Sequence, residues 1–582
     1  MLGLLFVSAT GHAGDWMLLE QGWTNEQRER FWSLGQGAEI VPYRWFLVLE
    51  QAGRQRPFNS AEHIRRLGYI PWPENPAGLP VGFTRAANPH TGREWLGMNC
   101  AACHTNTIAF EGRTLLVDGA PTLADYWAFN LAITAALEET LADEGKFRRF
   151  ADALGAGDSP EQRNELRNDL ATVTAERLAY NERNRHRSEY GHGRLDAIGF
   201  IFNEVTVGLL RDGDGQAIPD NRRSPEAPVS YPFLWGTSQA DYVQWNGVSF
   251  AQLPLGNLAR DVVEVLGVYG KVDLDCEGGF RSSLLFRNSI ELADMVQTLK
   301  APQWPNDVFP PVDLKLASEG EALYRDHCVE CHEVIPRDDW NRRYRSGLWP
   351  TNIIGTDALY TRNAVQWVDS GCLAGESIMP GGAEKLEAHD MSYSIVSHVA
   401  LKVMGEEPGE AIFPVLGLKG VMENLQLNGL ELRKPEDYYK ARPLNGIWAT
   451  APYLHNGSVP TLYDLLLPPD ERPRQFRVGC REFDPTRVGF RQDCDEATLF
   501  EVNPEGAPAC NYEVLDPGER AADGRWLRYP YRDPRFPDTD AGFYPQVRDN
   551  GNCNIGHDVR HVDGSAFDHG ERSALVEYLK TL

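Results

Sequence analysis

Two pentapeptides of this chain have the residue types and spacing for redox chemistry. The pattern Cys-x-x-Cys-His occurs at Cys100–His104 and again at Cys328–His332. In this pattern two thiols add covalently to one haem and the adjacent histidine binds its iron. A redox thiol pair or half a zinc site would not require the histidine after each pair. The spacing therefore predicts two covalently bound haem c groups, with iron held by Cys100, Cys103 and His104 and by Cys328, Cys331 and His332.

The elements that position these motifs are predicted to be mainly helical. Apolar periodicity predicts helices over residues 122–143 and 162–180, a helix over 313–328 that runs into the second motif, and a last helix over 572–580. The 54 glycines and 38 prolines predict long irregular loops. The expected fold class is mainly α: two c-type cytochrome haem domains with long irregular loops and few short strands.

One motif in each half of the chain indicates two haem domains. The 582 residues are enough for more than one core, and prolines between residues 300 and 311 favour a boundary there. Residues 14–305 are the predicted N-terminal domain with the reactive haem. Residues 306–582 are the predicted C-terminal cytochrome c-like domain with an electron-transfer haem. Residues 1–13, an apolar run that ends in small residues, are interpreted as a signal-peptide remnant.

The charge balance restricts the partners. Lys and Arg total 57 against 83 acidic residues, a net charge of -26, which repels nucleic acid and anionic lipid surfaces. No run of 18 apolar residues occurs, so no membrane span is predicted. An acidic surface would attract a small basic electron-donor cytochrome, although solubility explains the same charge equally well.

Six cysteines lie outside the motifs, and four of them follow residue 479. An even number of spare cysteines beside covalent haem attachment favours disulfides and an oxidising compartment, so the predicted location is periplasmic or secreted. Their connectivity does not follow from spacing. These cysteines are Cys276, Cys372, Cys480, Cys494, Cys510 and Cys553.

A haem that performs chemistry needs an open or easily vacated iron position, whereas an electron carrier usually has a second strong ligand. No histidine occurs between His104 and His186, and the nearest methionine, Met98, precedes the first motif. The first haem is therefore predicted to be five-coordinate or water-bound.

For the second haem the residues offer three candidate ligands, Met379, His455 and His557. Each also has an ordinary interpretation, as a core side chain for the methionine or a hydrogen-bonded loop residue for the histidines. The residues alone do not choose among them.

Several stretches carry a likeness to a known family: Gly22–Trp23, Leu49–Glu50, Leu79–Phe83, Asn99–Thr105, Ala227–Trp235, Val243–Gly247 and Asn445–Ser458. They resemble the dihaem cytochrome c peroxidase superfamily, and most closely its branch related to the rubber oxygenase of latex-degrading bacteria. The resemblance runs from about residue 20 to the end of the chain. It implies two haems, one that reacts with dioxygen or hydrogen peroxide and one that transfers electrons.

The resemblance also implies roles for particular residues. His557 matches the distal histidine of the second haem and is preferred to Met379 on this ground. Tyr453 and His455 fall in a motif shared across the superfamily, where the histidine supports the haem environment. Trp245 matches a tryptophan between the two haems that relays electrons, although a large core side chain is the alternative interpretation. Residues implied beside the distal face of the first haem are Ala197, Ile198, Phe200, Ile201 and Trp235.

Two features bear on the reaction. Glu264 lies where dihaem peroxidases often place a catalytic carboxylate, and its alternative role is a partner for Arg260 or a solvated helix face. The rubber-cleaving enzyme has a phenylalanine over its first haem, whereas the stretch Leu255–Arg260 contains none. Polyisoprene is thus only one candidate among apolar alkene substrates.

Three functions follow from these observations. The first is an oxygenase that binds dioxygen at the haem of His104 and cleaves a carbon–carbon double bond of an apolar substrate. The second is a peroxidase that takes electrons from a small cytochrome and passes them through Trp245 to hydrogen peroxide. The third is a non-enzymatic electron carrier, which would need a distal ligand for the first haem. The residues define no calcium site, and the presence of a bridging calcium ion does not follow from the sequence.

Overall fold

The computed structural model describes residues 16–582 except 158, 251–253, 276–278, 340–341, 365, 379–382, 407–437, 495–497, 502–518, 521–525 and 529–550. The interpreted signal-peptide remnant and Met379 therefore lie outside the described residues. Helices form 39% and strands 16% of the described residues, so the fold is mixed α and β. The expectation of a mainly α chain with few short strands is confirmed only in part. The strands are short but numerous, because the irregular connections pair locally and satisfy their backbone groups.

Helices occur along the whole described chain, and four of them confirm the predicted helices within a few residues. These four are Tyr126–Ala142, Pro160–Arg183, Leu314–His327 and His569–Thr581. The other α-helices are Asn25–Ser33, Tyr43–Val48, Ala61–Arg66, Cys100–Cys103, Glu144–Leu154, Ala197–Asn203, Pro254–Gly267, Phe286–Gln297, Thr351–Ile354, Leu359–Asn363, Ser392–Glu406 and Leu462–Leu465. A π-helix spans Glu204–Leu209, and 3₁₀ turns span Pro219–Asn221, Thr237–Gln239, Gly371–Leu373 and Ile447–Ala449.

The strands pair mostly as two-stranded ladders, with two three-stranded sheets near the N-terminus. One sheet has the order Trp16–Leu18, Arg113–Asp118, Thr105–Phe110, and the other Val41–Pro42, Glu94–Met98, Phe83–Ala87. The remaining strands are Arg194–Leu195, Val229–Ser230, Tyr242–Val243, Ser249–Phe250, Val272–Asp275, Gly279–Ser282, Leu348–Pro350, Trp367–Asp369, His389–Met391, Tyr438–Lys440, Gln475–Val478, Phe483–Asp484, Gly489–Phe490, Thr498–Glu501, Glu519–Arg520 and Trp526–Arg528.

The first motif is one helical turn between the two three-stranded sheets. Glu94–Met98 leads into the turn Cys100–Cys103, and Thr105–Phe110 leaves it. Within its sheet, Thr105–Phe110 pairs antiparallel with Arg113–Asp118, residue 105 opposite residue 118. The motif is therefore anchored on both sides by hydrogen-bonded strands.

The second motif follows the helix Leu314–His327, whose N-cap is Asp313. This helix packs along the last helix, His569–Thr581, and the contact is close at Gly320, where any side chain would collide with the backbone of Ala574. The last helix begins with a capping box formed by Asp568. The C-terminal end of the chain thus supports the second motif.

The largest hydrophobic core takes side chains from both halves of the chain, among them Trp32, Leu116, Trp448 and Leu575. The segment of residues 300–311 is irregular, as its prolines predict, but it contributes Trp304 and other side chains to this core. The division into domains 14–305 and 306–582 stays a prediction.

Disulfides are present in the described chain. Cys480 and Cys494 form one, with their Cα atoms 5.9 Å apart, and Cys372 and Cys553 are also disulfide-bonded. The predicted disulfide in the segment after residue 479 is thereby confirmed. The remaining two cysteines of this group, Cys276 and Cys510, lie outside the described residues. Among the residues that the structure describes, no helix has the length and hydropathy that crossing a bilayer requires.

Candidate haem sites

The turn of the first motif is fixed by Asn99, its N-cap. The Asn99 side chain accepts a hydrogen bond from the Ala101 amide at 3.0 Å and donates to the carbonyls of Phe31 at 2.7 Å and Leu34 at 2.9 Å. Gly82 lies directly beneath the turn with φ +78°, and a side chain there would collide with the motif backbone. A cap and a glycine therefore hold the two cysteines in place.

His104 is oriented by a backbone carbonyl. Its Nδ1 donates to the Pro232 oxygen at 2.7 Å, which leaves the lone pair of Nε2 free. Burial lowers the pKa of His104 to about 4, so the imidazole is neutral, the form that binds metal. In the described chain the ring of Tyr231 lies beside His104, with the two ring centroids 6.2 Å apart, and no second histidine ring opposes that of His104. The open position predicted for the first haem stays a prediction consistent with this arrangement.

A cluster of charged residues faces the first motif from the helix Pro254–Gly267. Arg260 pairs with Asp261 at 2.7 Å and lies 3.7 Å from Glu264. Burial and the Glu264 charge raise the pKa of the Cys103 thiol to about 12. Burial also raises the pKa of the Cys100 thiol, and the charges of Asp261 and Glu264 add to this effect. The two carboxylates therefore interact electrostatically with the thiols of the motif.

Glu264 is the most unusual member of this cluster. Its Oε1 accepts a hydrogen bond from Gln244 at 2.8 Å, and burial raises its pKa to about 7. Its side chain nevertheless keeps 42% of its surface accessible. Both the catalytic interpretation and the ion-pair interpretation of Glu264 therefore have a structural basis.

The second motif has a histidine on each side of a haem-sized gap. His332 Nδ1 donates to the Arg442 carbonyl at 2.8 Å, which leaves its Nε2 free. The ring of His557 lies 6.1 Å from the ring of His332, centroid to centroid. Two imidazoles bound to one metal at about 2 Å each would have centroids about 6.3 Å apart. The structure thus brings together the two histidines that the family resemblance pairs. Burial and the nearby His332 lower the pKa of His557 to about 3.

A forked arginine places His557. Arg472 donates to the carbonyls of Asn554 at 2.7 Å, Gly556 at 2.8 Å and His557 at 3.0 Å. His557 itself has φ +50°, and its amide donates to the Ile354 carbonyl at 2.9 Å. This loop conformation turns the imidazole towards His332.

The segment around Tyr453 supports the same loop. Asn456 donates to the Gly551 carbonyl at 3.1 Å and the Cys553 carbonyl at 2.7 Å, and Ser458 donates to the Cys553 carbonyl at 2.9 Å. These bonds hold the chain just before His557. The most specific part of the family resemblance therefore has a structural role in the second site.

His455 lies between aromatic rings rather than against either motif histidine. Its ring is 4.3 Å from Tyr439 and 6.5 Å from Trp245, and its Nε2 is 3.5 Å from Asp357. Tyr453 is buried, and its hydroxyl reaches the carbonyls of the turn Ile447–Ala449 at 3.4 Å. Their placement agrees with a supporting position, and the choice of His557 over Met379, which lies outside the described residues, stays a prediction.

Trp245 is bound to the two segments that orient the motif histidines. Its indole N–H donates to the Ser230 carbonyl at 2.9 Å, two residues before Pro232. Its own carbonyl accepts from the Lys440 amide at 2.8 Å, two residues before Arg442. Trp245 thus connects the two segments, and its role as an inter-haem relay stays a prediction.

Trp235 is a fully buried core residue. Its indole donates to the Asn445 carbonyl at 2.7 Å and stacks on Phe233 at 4.8 Å, and the ring lies close to Gly119 and Gly446. These contacts explain the residue as packing. Its implied place beside the first haem stays a prediction.

The four apolar residues implied over the first haem lie on the helix Ala197–Asn203 and fall into two groups. The first group packs in the cluster that contains Cys103, and consists of Ala197 and Phe200. The second group packs against apolar side chains of the helix that carries Glu264, and consists of Ile198 and Ile201. Only the first group shares a cluster with the motif.

The residues present fit haem c at both motifs. The four motif cysteines are free thiols, and both motif histidines present Nε2. Lys440 lies in the same region: its side-chain nitrogen donates to the Tyr242 carbonyl at 3.1 Å, and burial, Arg442 and Arg260 lower its pKa, which disfavours the ammonium form. In the described residues, no cluster of three or more His, Cys, Asp or Glu forms a metal-ion site.

Sequence reasoning missed four residues that the structure brings to these sites: Gln244, Lys440, Arg442 and Arg472. Arginines and lysines are common in the chain, and no spacing marks these three. Gln244 directly precedes Trp245 in a stretch already singled out, which was the one available signal.

The covalent attachment motifs, their neutral histidines and the cytochrome c-like surroundings of the second motif define a c-type cytochrome with haem iron. A family model described as RoxA-like, cytochrome c-like matches residues 438–477, the segment that includes Arg442 and His455. The chain is 31% identical to y4iJ, an uncharacterized protein of Sinorhizobium fredii, over 97% of this chain and 93% of that protein. It belongs to the same family as y4iJ. A second protein of that organism, y4iM, is 28% identical over 49% of this chain and 56% of its own length.

Proposed function

We propose that this chain is a dihaem c-type oxidoreductase that reduces hydrogen peroxide at the haem of His104, with electrons that enter at the haem of His332. One observation supports this reaction above the others: the Glu264 carboxyl accepts a hydrogen bond from Gln244, has a pKa raised by burial, and acts electrostatically on the Cys103 thiol of the first motif. A haem bound by one histidine supplies an iron position at which peroxide can bind and accept electrons. The protein must supply the protons.

Glu264 is suited to that proton transfer. As a carboxylate it takes a proton from one peroxide oxygen and delivers it to the other, so that the leaving group departs as water. A pKa near 7 lets the same group accept and release a proton at neutral pH. Gln244 fixes the orientation of the carboxylate, and Arg260 stabilises its ionised form. Complete reduction consumes two protons and two electrons and yields two waters.

The second site is suited to electron transfer. His332 and His557 would together hold its haem, which would then supply electron transfer rather than peroxide binding. Trp245 lies between the segments that orient His104 and His332, so it would relay electrons from the second haem to the first. We propose a small basic cytochrome as the donor and a periplasmic or secreted location, supported by the net charge of -26 and by the disulfide Cys480–Cys494.

Mixing the haem-loaded protein with hydrogen peroxide and a reduced small cytochrome c tests the proposal. We expect sustained oxidation of the cytochrome, followed by absorbance in a stopped-flow instrument. A peroxide-independent absorbance trace, with neither a spectral change in the protein nor loss of reduced cytochrome, would refute it.

A second candidate is an oxygenase that cleaves a carbon–carbon double bond of an apolar substrate with dioxygen. Ala197 and Phe200, which pack in the cluster of Cys103, favour an apolar substrate. Oxygen uptake with polyisoprene or smaller alkenes, measured with catalase present to remove peroxide, separates the two candidates. Uptake that depends on the alkene would support the oxygenase.

A further inference from the structure

Arg442 contacts the surroundings of both motif histidines. On one side, His104 donates to the carbonyl of Pro232, and the carbonyl of the next residue, Phe233, accepts from Arg442 Nη1 at 3.1 Å. On the other side, the Arg442 carbonyl accepts from His332 Nδ1 at 2.8 Å. One peptide unit and one arginine thus join the hydrogen bonds of the two imidazoles.

The Arg442 side chain is held in a single geometry. Its Nη2 donates to the Trp235 carbonyl at 3.1 Å, and the guanidinium carbon lies 3.3 Å from the centroid of the Phe233 ring. The residue is 8% exposed, and its Nε has no hydrogen-bond partner within the described structure. A planar fork that bonds two carbonyls and covers a ring cannot be reproduced by lysine.

We propose that Arg442 is a positioning residue that sets the orientation of both proximal histidines together. The acceptor of the second ring nitrogen controls the tautomer, the orientation and the donor strength of a metal-bound histidine. For His332, the main-chain carbonyl of Arg442 is this acceptor. For His104, the acceptor is the Pro232 carbonyl, and the Arg442 side chain fixes the next carbonyl, that of Phe233. The inference rests on the proposed function to the extent that each motif carries a haem.

The variants Arg442→Lys and Arg442→Gln, prepared as full chains with haem attached, test the coupling. Electron paramagnetic resonance of the oxidised protein separates the high-spin signal expected for the first haem from the low-spin signal expected for the second. We expect both signals to shift in both variants. We also expect both midpoint potentials to fall in the glutamine variant, because a buried positive charge is lost. The lysine variant keeps the charge, so its potentials should change less.

Arg472→Gln is the matched control. Arg472 is also a buried arginine that bonds carbonyls, but its partners hold His557 and not the first site. This variant should change only the low-spin signal. If both Arg442 variants likewise change only the second haem, the coupling is refuted. If the glutamine variant fails to attach haem, the lysine variant alone decides. A wild-type protein with fewer than two haems, or with no high-spin signal, would instead count against the proposed function.

Discussion

Replacement of Glu264 by glutamine tests the proton transfer on which peroxide reduction depends. The amide keeps the size of the side chain and can still accept the 2.8 Å hydrogen bond from Gln244. The variant therefore removes proton transfer with little change in packing. Loss of a general acid–base group costs about 10²–10⁴-fold in rate, or about 3–5 kcal/mol of transition-state stabilisation. We expect a decrease of that size in kcat/KM for peroxide.

The pH dependence gives a second measure of the same residue. Glu264 must be ionised to take a proton from peroxide. The wild-type rate should therefore rise with pH and level off above about pH 7, the pKa to which burial raises this group. In Glu264→Gln this inflection should disappear. The raised pKa also means that ionised Glu264 destabilises the fold as pH rises from 4.5 through about 7. The variant should therefore be no less stable than the wild type at pH 8 in thermal unfolding.

Glu50→Gln provides the control for a lost carboxylate. Glu50 is a partly buried acid bonded to Arg149 through both oxygens at 2.7 Å, and we place it outside the site. Its replacement should leave the rate and pH profile of peroxide reduction unchanged. An unaltered kcat/KM and inflection in Glu264→Gln, with normal haem content, would refute the role assigned to Glu264.

Further changes test other parts of the structure. His557→Ala should convert the second haem from low-spin to high-spin and let its reduced form bind carbon monoxide; an unchanged low-spin spectrum would assign the ligand elsewhere. Trp245→Phe should slow electron transfer between the haems while both absorption spectra stay the same, whereas a wild-type transfer rate would exclude the relay. Gly82→Ala should displace the first motif and reduce covalent haem, measured as pyridine haemochrome, from two groups per chain towards one. Replacing both Cys480 and Cys494 by serine opens a loop of 14-residue separation and should lower the free energy of unfolding by about 3 kcal/mol in urea titration; a midpoint like that of the wild type would contradict this.

The attachment motifs and the long helices could be predicted from sequence because both are local. Cys100 and Cys328 each begin a pattern complete within five residues, and the helix Leu314–His327 follows its own periodicity from its cap at Asp313. The many short strands escaped prediction, since each has few residues and several pair with a distant partner, as Leu348–Pro350 does with Tyr438–Lys440.

The candidate site was only partly accessible from sequence. The pairing of His332 with His557 rested on family resemblance, and no local spacing connects them. Arg442 and Arg472 could not be identified, because their bonds go to backbone carbonyls whose positions exist only in the folded chain. A residue that recognises backbone places no demand on the side-chain type of its partner, so no sequence pattern records the contact.

The wide separation of His332 and His557 along the chain implies an order of events during biogenesis. Cys328 and Cys331 are synthesised long before His557, so a haem attached there early would have one protein ligand. The loop held by Arg472 and the helix His569–Thr581 are synthesised after both cysteines. An attached haem would therefore form part of the surface on which the last residues fold. Under the proposed function, a chain that stops before His557 would carry a second reactive iron in place of an electron-transfer centre.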